Sequence, residues 1–166
     1  NLKQDFRSTD LYSTYASYLI FRAKNTKEAV VSGIQQNFIE KLSYDIPTDE
    51  IPLYDGNDNA TQHNYTITGI ADGAFSLSKT MRNITIPGNI KEMGTNLFPE
   101  SLKYIYFDGG IPVVNGDIFV DTTQVLKAIV IDNLSEELTT LPYGFNASHL
   151  SANPTDFSIR IKGVSN

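Results

Sequence analysis

The chain repeats one pattern three times in succession: ITGIADGAFSLSKTMRNITIPGN at 67–89, IKEMGTNLFPESLKYIYFDGG at 90–110 and IPVVNGDIFVDTTQVLKAIVIDN at 111–133. Each unit places two apolar residues three positions apart, a Phe five positions later, a polar turn and a short β-rich run. The frame is Ile67/Ile70/Phe75, Ile90/Met93/Phe98 and Ile111/Val114/Phe119, closed by Ile84–Ile86, Ile105–Phe107 and Ile129–Ile131. A looser fourth copy holds Leu138, Leu141, Phe145, Phe157, Ile159 and Ile161. A period of about 20–24 residues is typical of a solenoid, whose units stack to bury their apolar faces.

The first unit resembles the BspA-type leucine-rich repeat. The resemblance lies in the turn Ile70-Ala71-Asp72-Gly73-Ala74-Phe75 and in the strand Ile84-Thr85-Ile86 followed by Pro87. Later units replace the Ala before Phe with Leu97, Ile118 and Gly144, and the Cys that the family often has after the Phe is missing. The resemblance covers roughly the last 100 residues. It implies a secreted or surface-anchored binding protein, often bacterial, and no catalytic chemistry.

Composition sets wide bounds on function. The 166 residues suit one domain with a sizeable core, and 40% of them are hydrophobic. A net charge of −6 argues against a nucleic-acid or anionic-membrane surface, because both need a basic patch. The absence of Cys excludes disulfides, thiolate catalysis and Cys-ligated zinc. We find no signal peptide and no membrane span in the sequence, and we interpret it as a mature or excised piece of a longer array.

The N-terminal region gives mixed signals. Ser8 or Thr9 could cap a short helix, while the run 16–22 fits a strand as well as a helix. Thr26 could cap a longer amphipathic helix with Val30, Ile34, Phe38 and Leu42 at i+4 spacing, although the same stretch also imitates a repeat whose strand would be 42–47. We favour a degenerate first repeat with this helix behind it, since terminal repeats are often atypical.

Residues 48–64 are dense in Pro, Gly, Asp and Asn and have no periodicity, so they are predicted to be a mobile loop. The predicted organisation is therefore an N-terminal cap with a degenerate repeat and this loop at 1–64. About four leucine-rich repeats are predicted to follow at 65–166, and the last of them could be truncated at the C-terminus.

The residue types that carry chemistry are sparse. His63 and His149 lie far apart in polar loops, no Gly-x-Ser-x-Gly elbow occurs, and no Gly-rich phosphate loop occurs. Asp55–Asn59 begins like a calcium loop, but Ala60 stands where Gly is required and Thr66 where Glu is required. Acidic pairs such as Asp49/Glu50 fit a solvated surface. We expect no enzyme, no cofactor and no metal.

Strand alternation separates a core face from an outer face in each closing run. The inward set is Met81/Ile84/Ile86, Leu102/Ile105/Phe107 and Leu126/Ile129/Ile131. The outward set is Asn83/Thr85, Tyr104/Tyr106, Ala128/Val130 and Ser158/Arg160. Tyr and Arg are enriched in recognition hot spots. The predicted binding residues are Thr85, Tyr104, Tyr106, Val130 and Arg160. The competing interpretation is that β-propensity alone explains these residue types.

Together these patterns predict an α/β-type repeat: a short right-handed leucine-rich-repeat solenoid with one parallel sheet of short strands and a helical or irregular N-terminal cap. The function expected from the resemblance is non-catalytic binding or adhesion in the extracellular space or at a cell surface. The expected partner is a host or matrix protein or a surface glycan, with no nucleic acid. A structural spacer within a larger surface protein is the alternative, and a carbohydrate-active enzyme is a third hypothesis.

Overall fold

The computed structural model describes residues 6–109, 112–116 and 118, and the backbone alone of two later segments, 128–132 and 158–162. These residues form a mostly β structure with one short 3-10 turn at Gln36–Phe38. The strands are β1 (Leu19–Ala23), β2 (Glu28–Ile34), β3 (Ile51–Tyr54), β4 (Ala60–Ile70), β5 (Asn83–Ile86), β6 (Glu92–Met93), β7 (Tyr104–Phe107), β8 (Val113–Val114), β9 (Ala128–Asp132) and β10 (Ser158–Lys162).

The closing runs of the repeats form a four-stranded sheet in the order β10-β9-β7-β5. Every neighbouring pair in it is parallel, and no register shift interrupts the pairing of these strands. Parallel strands need a long crossover between them, and residues 87–103, which include β6, form the crossover from β5 to β7. The prediction that the closing runs stack in parallel, unit upon unit, is confirmed.

A second sheet runs beside the first, so the prediction of one parallel sheet is wrong. Its order is β1-β2-β4-β6-β8, with β3 paired to β4, and it mixes antiparallel with parallel pairs. Each of the first three repeats adds one strand to it (β4, β6 and β8), and these strands pair in parallel at the second apolar residue of each opening pair. Gly69 and Ile70 thus pair with Glu92 and Met93, which in turn pair with Val113 and Val114.

The N-terminal helices predicted from i+4 spacing are both absent from the described residues. The segment Glu28–Ile34 is the strand β2, antiparallel to β1 and parallel to β4. Ala29 and Val31 are fully buried between these neighbours. Val and Ile are stiff at χ1 and Gly33 is costly in a helix, so lateral pairing outweighs the helical spacing. The predicted helix after Ser8 is also wrong, because Leu11 and Tyr12 form isolated antiparallel β-bridges with Phe21 and Tyr54.

The predicted loop at 48–64 is wrong for much of its length, because it contains the hairpin of β3 and β4. Ile51 and Leu53 are buried, and Ile51 pairs with Tyr65. The alternation of buried and half-buried residues in β3 covers only four positions, which is too short a signal beside so many turn formers. Strand β4 runs continuously across the predicted boundary at residue 64. The division into a cap and repeats stays a prediction.

The segment 42–47 is not a strand, although it was predicted to be the strand of a degenerate repeat. It nevertheless lies where a preceding unit would lie. The Leu42 carbonyl accepts a hydrogen bond from the Arg82 amide at 2.8 Å, as the Arg82 carbonyl does from the Lys103 amide at 2.8 Å. The buried ring of Tyr44 packs 5.7 Å from that of Phe75, which continues the core toward the N-terminus.

The core lies between the two sheets and follows the predicted repeat frame. All six frame residues of the first two units are buried: Ile67, Ile70, Phe75, Ile90, Met93 and Phe98. Val114 of the third unit is buried as well, while Ile111 and Phe119 lie outside the described residues. The inward residues of the first two closing runs, from Met81 to Phe107, are also buried as predicted.

Candidate functional site

The parallel register brings four of the five predicted binding residues into one row. Thr85 lies opposite Tyr106, Tyr106 opposite Val130, and Val130 opposite Arg160. Neighbouring strands in a sheet lie about 4.8 Å apart, so this row crosses the sheet as a continuous line. The fifth residue, Tyr104, lies two positions earlier along β7. It occupies a second row with Asn83, Ala128 and Ser158.

Burial places the described members of these rows on the outer face of the sheet. Thr85 is exposed and Tyr106 is 36% exposed, whereas their strand neighbours Ile86 and Phe107 are each only 1% exposed. Asn83 and Tyr104 are half-buried. The side chains of Val130 and Arg160 lie outside the described part of the chain, so for them only the backbone position is established. We call these two rows of positions on β5, β7, β9 and β10 the outer face.

Arg82 is a neighbour of this face that the sequence prediction missed. Its guanidinium carbon lies 5.8 Å from the centroid of the Tyr104 ring. A guanidinium over an aromatic face is attracted by the ring quadrupole. Arg82 lies just before strand β5, so strand alternation does not predict which way its side chain points. Its contact with Tyr104 crosses from one repeat to the next, and only the register between the two repeats could have indicated this contact.

A groove of about 520 Å³ lies away from the outer face, between the N-terminal segment and the chain that leads into β3. Tyr15 and Tyr18 line one side, and residues 45–52 line the other. Tyr15 is 75% exposed. Asp45, Asp49 and Glu50 are all exposed along the groove, which agrees with the solvated surface predicted for the acidic pair. The sequence prediction missed the groove because its walls are distant in sequence.

The calcium-like segment Asp55–Asn59 is the turn of the hairpin between β3 and β4. The Asp55 carboxylate Oδ1 accepts hydrogen bonds from the amides of Asn57 at 2.8 Å and Asn59 at 3.0 Å. This is an Asx turn, in which the carboxylate organises its own backbone. No group of three or more His, Cys, Asp or Glu side chains suited to a metal occurs among the described residues.

Tyr12 fastens this turn to the N-terminal segment. Its hydroxyl donates a hydrogen bond of 2.5 Å to the carboxylate of Asp58, which has a φ of 66°. That hydrogen bond, together with burial and the charge of Asp58, raises the pKa of Tyr12 to about 12. A hydrogen bond that donates to a carboxylate favours the neutral phenol.

The sequence has two histidines, and neither is among the positions of the outer face or the described residues that line the groove. His63 is exposed on β4, with its ring 6.1 Å from that of Tyr65, and His149 lies outside the described residues. In the described part of the chain, no helix has the length and apolarity that a bilayer crossing requires.

Comparison with known proteins gives one structural similarity. No protein-family model and no curated protein matches the sequence. The chain is similar in structure to a leucine-rich repeat protein from Bacteroides capillosus, with a TM-score of 0.42 and 15% sequence identity. The similarity covers 88% of this chain and 95% of that protein. The repeats of this chain are assigned from its own two sets of parallel strands, β5-β7-β9-β10 and β4-β6-β8.

Proposed function

We propose that the chain is a non-catalytic binding module of a secreted or cell-surface protein, related to the BspA-type leucine-rich-repeat proteins. It recognises a protein or glycan partner through the outer face. The observation that carries the proposal is the register that lines up Thr85, Tyr106, Val130 and Arg160 across four parallel strands.

The residue types of the outer face suit recognition more than catalysis. Tyrosine offers a large contact area and a hydroxyl at little conformational cost, and tyrosine and arginine are enriched in binding hot spots. The Arg82 guanidinium over the Tyr104 ring adds a cation beside this aromatic surface. Thr85 and Asn83 add hydrogen-bonding groups beside the rings. This mixture of aromatic surface and neutral polar groups fits a folded protein or a glycan equally well.

A structural spacer is the second candidate function, and the continuity of the core favours it. Tyr44, Phe75 and Phe98 pack ring against ring through successive units, with centroids 5.7 Å and 5.9 Å apart. Parallel ladders on both sides of that stack tie each unit to the next. Such a body could hold another domain away from a surface without binding anything through its own faces.

The test compares three proteins on a glycan array and on immobilised matrix proteins such as fibronectin, laminin and collagen. They are the unmodified chain, the double variant Tyr104→Ser/Tyr106→Ser and the control Leu77→Ser, which changes a 71% exposed apolar side chain that belongs neither to the outer face nor to the groove. Each tyrosine at a hot spot contributes about 2 kcal/mol or more to binding. The double variant should therefore lose a partner that the control retains.

Two outcomes would contradict the proposal. A folded double variant that keeps full affinity would move the binding site away from the outer face. Absence of any partner for the unmodified chain, on either surface, would favour the spacer.

A further inference from the structure

The groove between Tyr15 and residues 45–52 has a composition that selects for charge. Of the described residues, eleven line it; three of these are the acids Asp45, Asp49 and Glu50, and none of the eleven is Lys, Arg or His. All three carboxylates are exposed. The potential inside a concave surface lined by one sign of charge is focused, which attracts ligands of the opposite sign. The groove shares no residue with the outer face.

The remaining wall is apolar and aromatic. Ile46 and Ile51 are buried beneath the groove, and Pro47 and Pro52 are half-buried beside them. Tyr15 is 75% exposed above this floor, although a tyrosine of a folded domain more often covers apolar surface. An apolar floor flanked by carboxylates suits a side chain with a long apolar stem and a charged end, which is the shape of lysine and arginine.

The chain itself shows that a ring beside the groove accepts a cation. The Lys41 ammonium lies 4.9 Å from the centroid of the Tyr18 ring. Tyr18 is held in place by packing against Tyr44 and Phe38 and by a hydrogen bond of 3.3 Å from its hydroxyl to the Asp45 carbonyl. Tyr15 is the more exposed of the two groove tyrosines, and no cation from the described residues lies over its ring as Lys41 lies over that of Tyr18. A cationic ligand could occupy its ring in the same way.

The walls of the groove are fixed before any ligand arrives. The Asn89 amide donates hydrogen bonds to the carbonyls of Pro47 at 3.0 Å and Ile67 at 2.7 Å, which ties the acidic side of the groove to β4. The Ser13 hydroxyl accepts hydrogen bonds from the amides of Tyr15 and Ala16, which sets the other side. Binding to such a preformed groove avoids much of the ordering cost of association.

We propose that this groove binds an extended cationic peptide segment, with lysine or arginine ends meeting Asp49 and Glu50 and their stems lying on the apolar floor beside Tyr15. The volume of about 520 Å³ is within the range of about 300–1,000 Å³ found for ligand pockets. It accommodates a few side chains rather than a folded domain. Anionic ligands are excluded by the same carboxylates.

The test is fluorescence anisotropy with three labelled peptides: octalysine, octaglutamate and a neutral Gly-Ser octamer. Octalysine should bind, with an affinity that falls as salt is added because the carboxylates are exposed. The variant Asp49→Asn/Glu50→Gln should bind octalysine about tenfold more weakly, as expected for two lost charge pairs. Tyr15→Ala should also weaken binding, by about threefold or more, through loss of the ring contact.

The matched control removes the same two charges elsewhere, with Glu100→Gln/Asp108→Asn, both of them exposed and far along the chain from the groove. It should change octalysine affinity by less than about twofold, because neither carboxylate lines the groove and exposed charges are screened by salt. Equal losses in the groove variant and in this control would show general attraction to an acidic protein, and would overturn the proposal. Tighter binding of a neutral cello-oligosaccharide than of octalysine would overturn it in favour of a glycan site. The groove test is independent of the outer face: Tyr104→Ser/Tyr106→Ser changes no residue of the groove and should bind octalysine as the unmodified chain does.

Discussion

The ring of Phe98 stacks on the ring of Phe75, with centroids 5.9 Å apart and planes inclined by 16°. These residues hold the same place in successive repeats and are both fully buried. The stack therefore joins one unit to the next, and each ring covers apolar area that the neighbouring unit cannot cover alone. Stacked aromatic pairs contribute about 0.5–1.5 kcal/mol beyond the area that they bury.

Phe98→Ala should lower the free energy of unfolding by about 3–5 kcal/mol, because it leaves a cavity where the stacked ring lay. Urea denaturation followed by circular dichroism measures the change. Phe75→Ala and the double variant complete a cycle, and the two losses should not add, since the rings are in contact. A loss below about 1 kcal/mol for Phe98→Ala, the range of surface changes, would contradict the repeat frame.

Gly94→Ala should destabilise the fold by about 1–3 kcal/mol through overpacking. A Cβ on Gly94 would lie 2.2 Å from Asp72 Oδ1 and 2.6 Å from the Asp72 amide nitrogen. Asp72 cannot withdraw without breaking the 2.8 Å hydrogen bond that its carboxylate accepts from the Thr95 amide. This site joins the turns of two successive units, so backbone would have to move.

Gly33→Ala is the matched control for this substitution. A Cβ there would meet only the side chain of Ile20, at 3.6 Å, which is ordinary contact. Alanine in a strand also loses less conformational freedom on folding than glycine does. Thermal melting should therefore show Gly33→Ala at or above the stability of the unmodified chain. A Gly94→Ala melt as high as this control would mean that the turns are not as close as described.

The repeat register could be predicted from the sequence, whereas the N-terminal topology could not. Alternation within the closing runs correctly separated Ile105 and Phe107 from Tyr104 and Tyr106, because each run is short, β-rich and repeated at one period. The same reasoning failed at Glu28–Ile34, where helical spacing and strand composition coincide in seven residues. Pairing with β1 and β4 decided between them, and that pairing is non-local.

The two candidate sites also differ in whether local sequence patterns could predict them. The outer face follows from a local period, so its members could be named from the sequence. The groove brings Tyr15 beside Asp49 and Glu50, and nothing in the local pattern connects these positions. Its walls depend on the hairpin of β3 and β4, which the density of Pro, Gly and Asp concealed. A prediction of that hairpin would have been needed before the groove could be inferred.

Tyr12 should titrate late, and its hydrogen bond to Asp58 should make stability depend on alkaline pH. Its pKa is about 12 in the folded protein, against about 10 for an unfolded chain. A raised pKa means that the neutral phenol stabilises the fold fully below about pH 10 and that this contribution disappears as the pH rises through about 12. Denaturation at pH 8 should show Tyr12→Phe to be less stable than the unmodified chain, with the difference shrinking toward pH 12.

Ultraviolet absorbance of the phenolate gives an independent measure of the Tyr12 pKa. The difference between titrations of the unmodified chain and Tyr12→Phe isolates the contribution of this ring. When both titrations are repeated in the Asp58→Asn background, the Tyr12 midpoint should fall toward about pH 10, since the acceptor charge is gone. A Tyr12 midpoint near 10 in the unmodified protein would show that the hydrogen bond does not persist in solution.

Calcium should not bind tightly at the hairpin turn. The Asp55 carboxylate is already occupied by the amides of Asn57 and Asn59, and Ala60 and Thr66 replace the Gly and the bidentate Glu that a calcium loop needs. Isothermal titration calorimetry should therefore show no micromolar binding. The Asp55→Ala variant serves to interpret any heat that appears. A micromolar isotherm in the unmodified chain that vanishes in this variant would assign a metal role to the turn.

Adjacent residues on β7 should differ sharply in their effect on stability, because they lie on opposite faces of the sheet. Phe107 is 1% exposed and Tyr106 is 36% exposed. Phe107→Ala should cost about 3–5 kcal/mol as a core cavity, whereas Tyr106→Ser should cost about 1 kcal/mol or less. Urea denaturation of the two single variants measures both values under the same conditions. If Tyr106→Ser is as damaging as Phe107→Ala, the strand is shifted by one residue and the tyrosines belong to the core. A small loss of stability in Tyr106→Ser would agree with Tyr106 lying on the outer face, which recognition through that face requires.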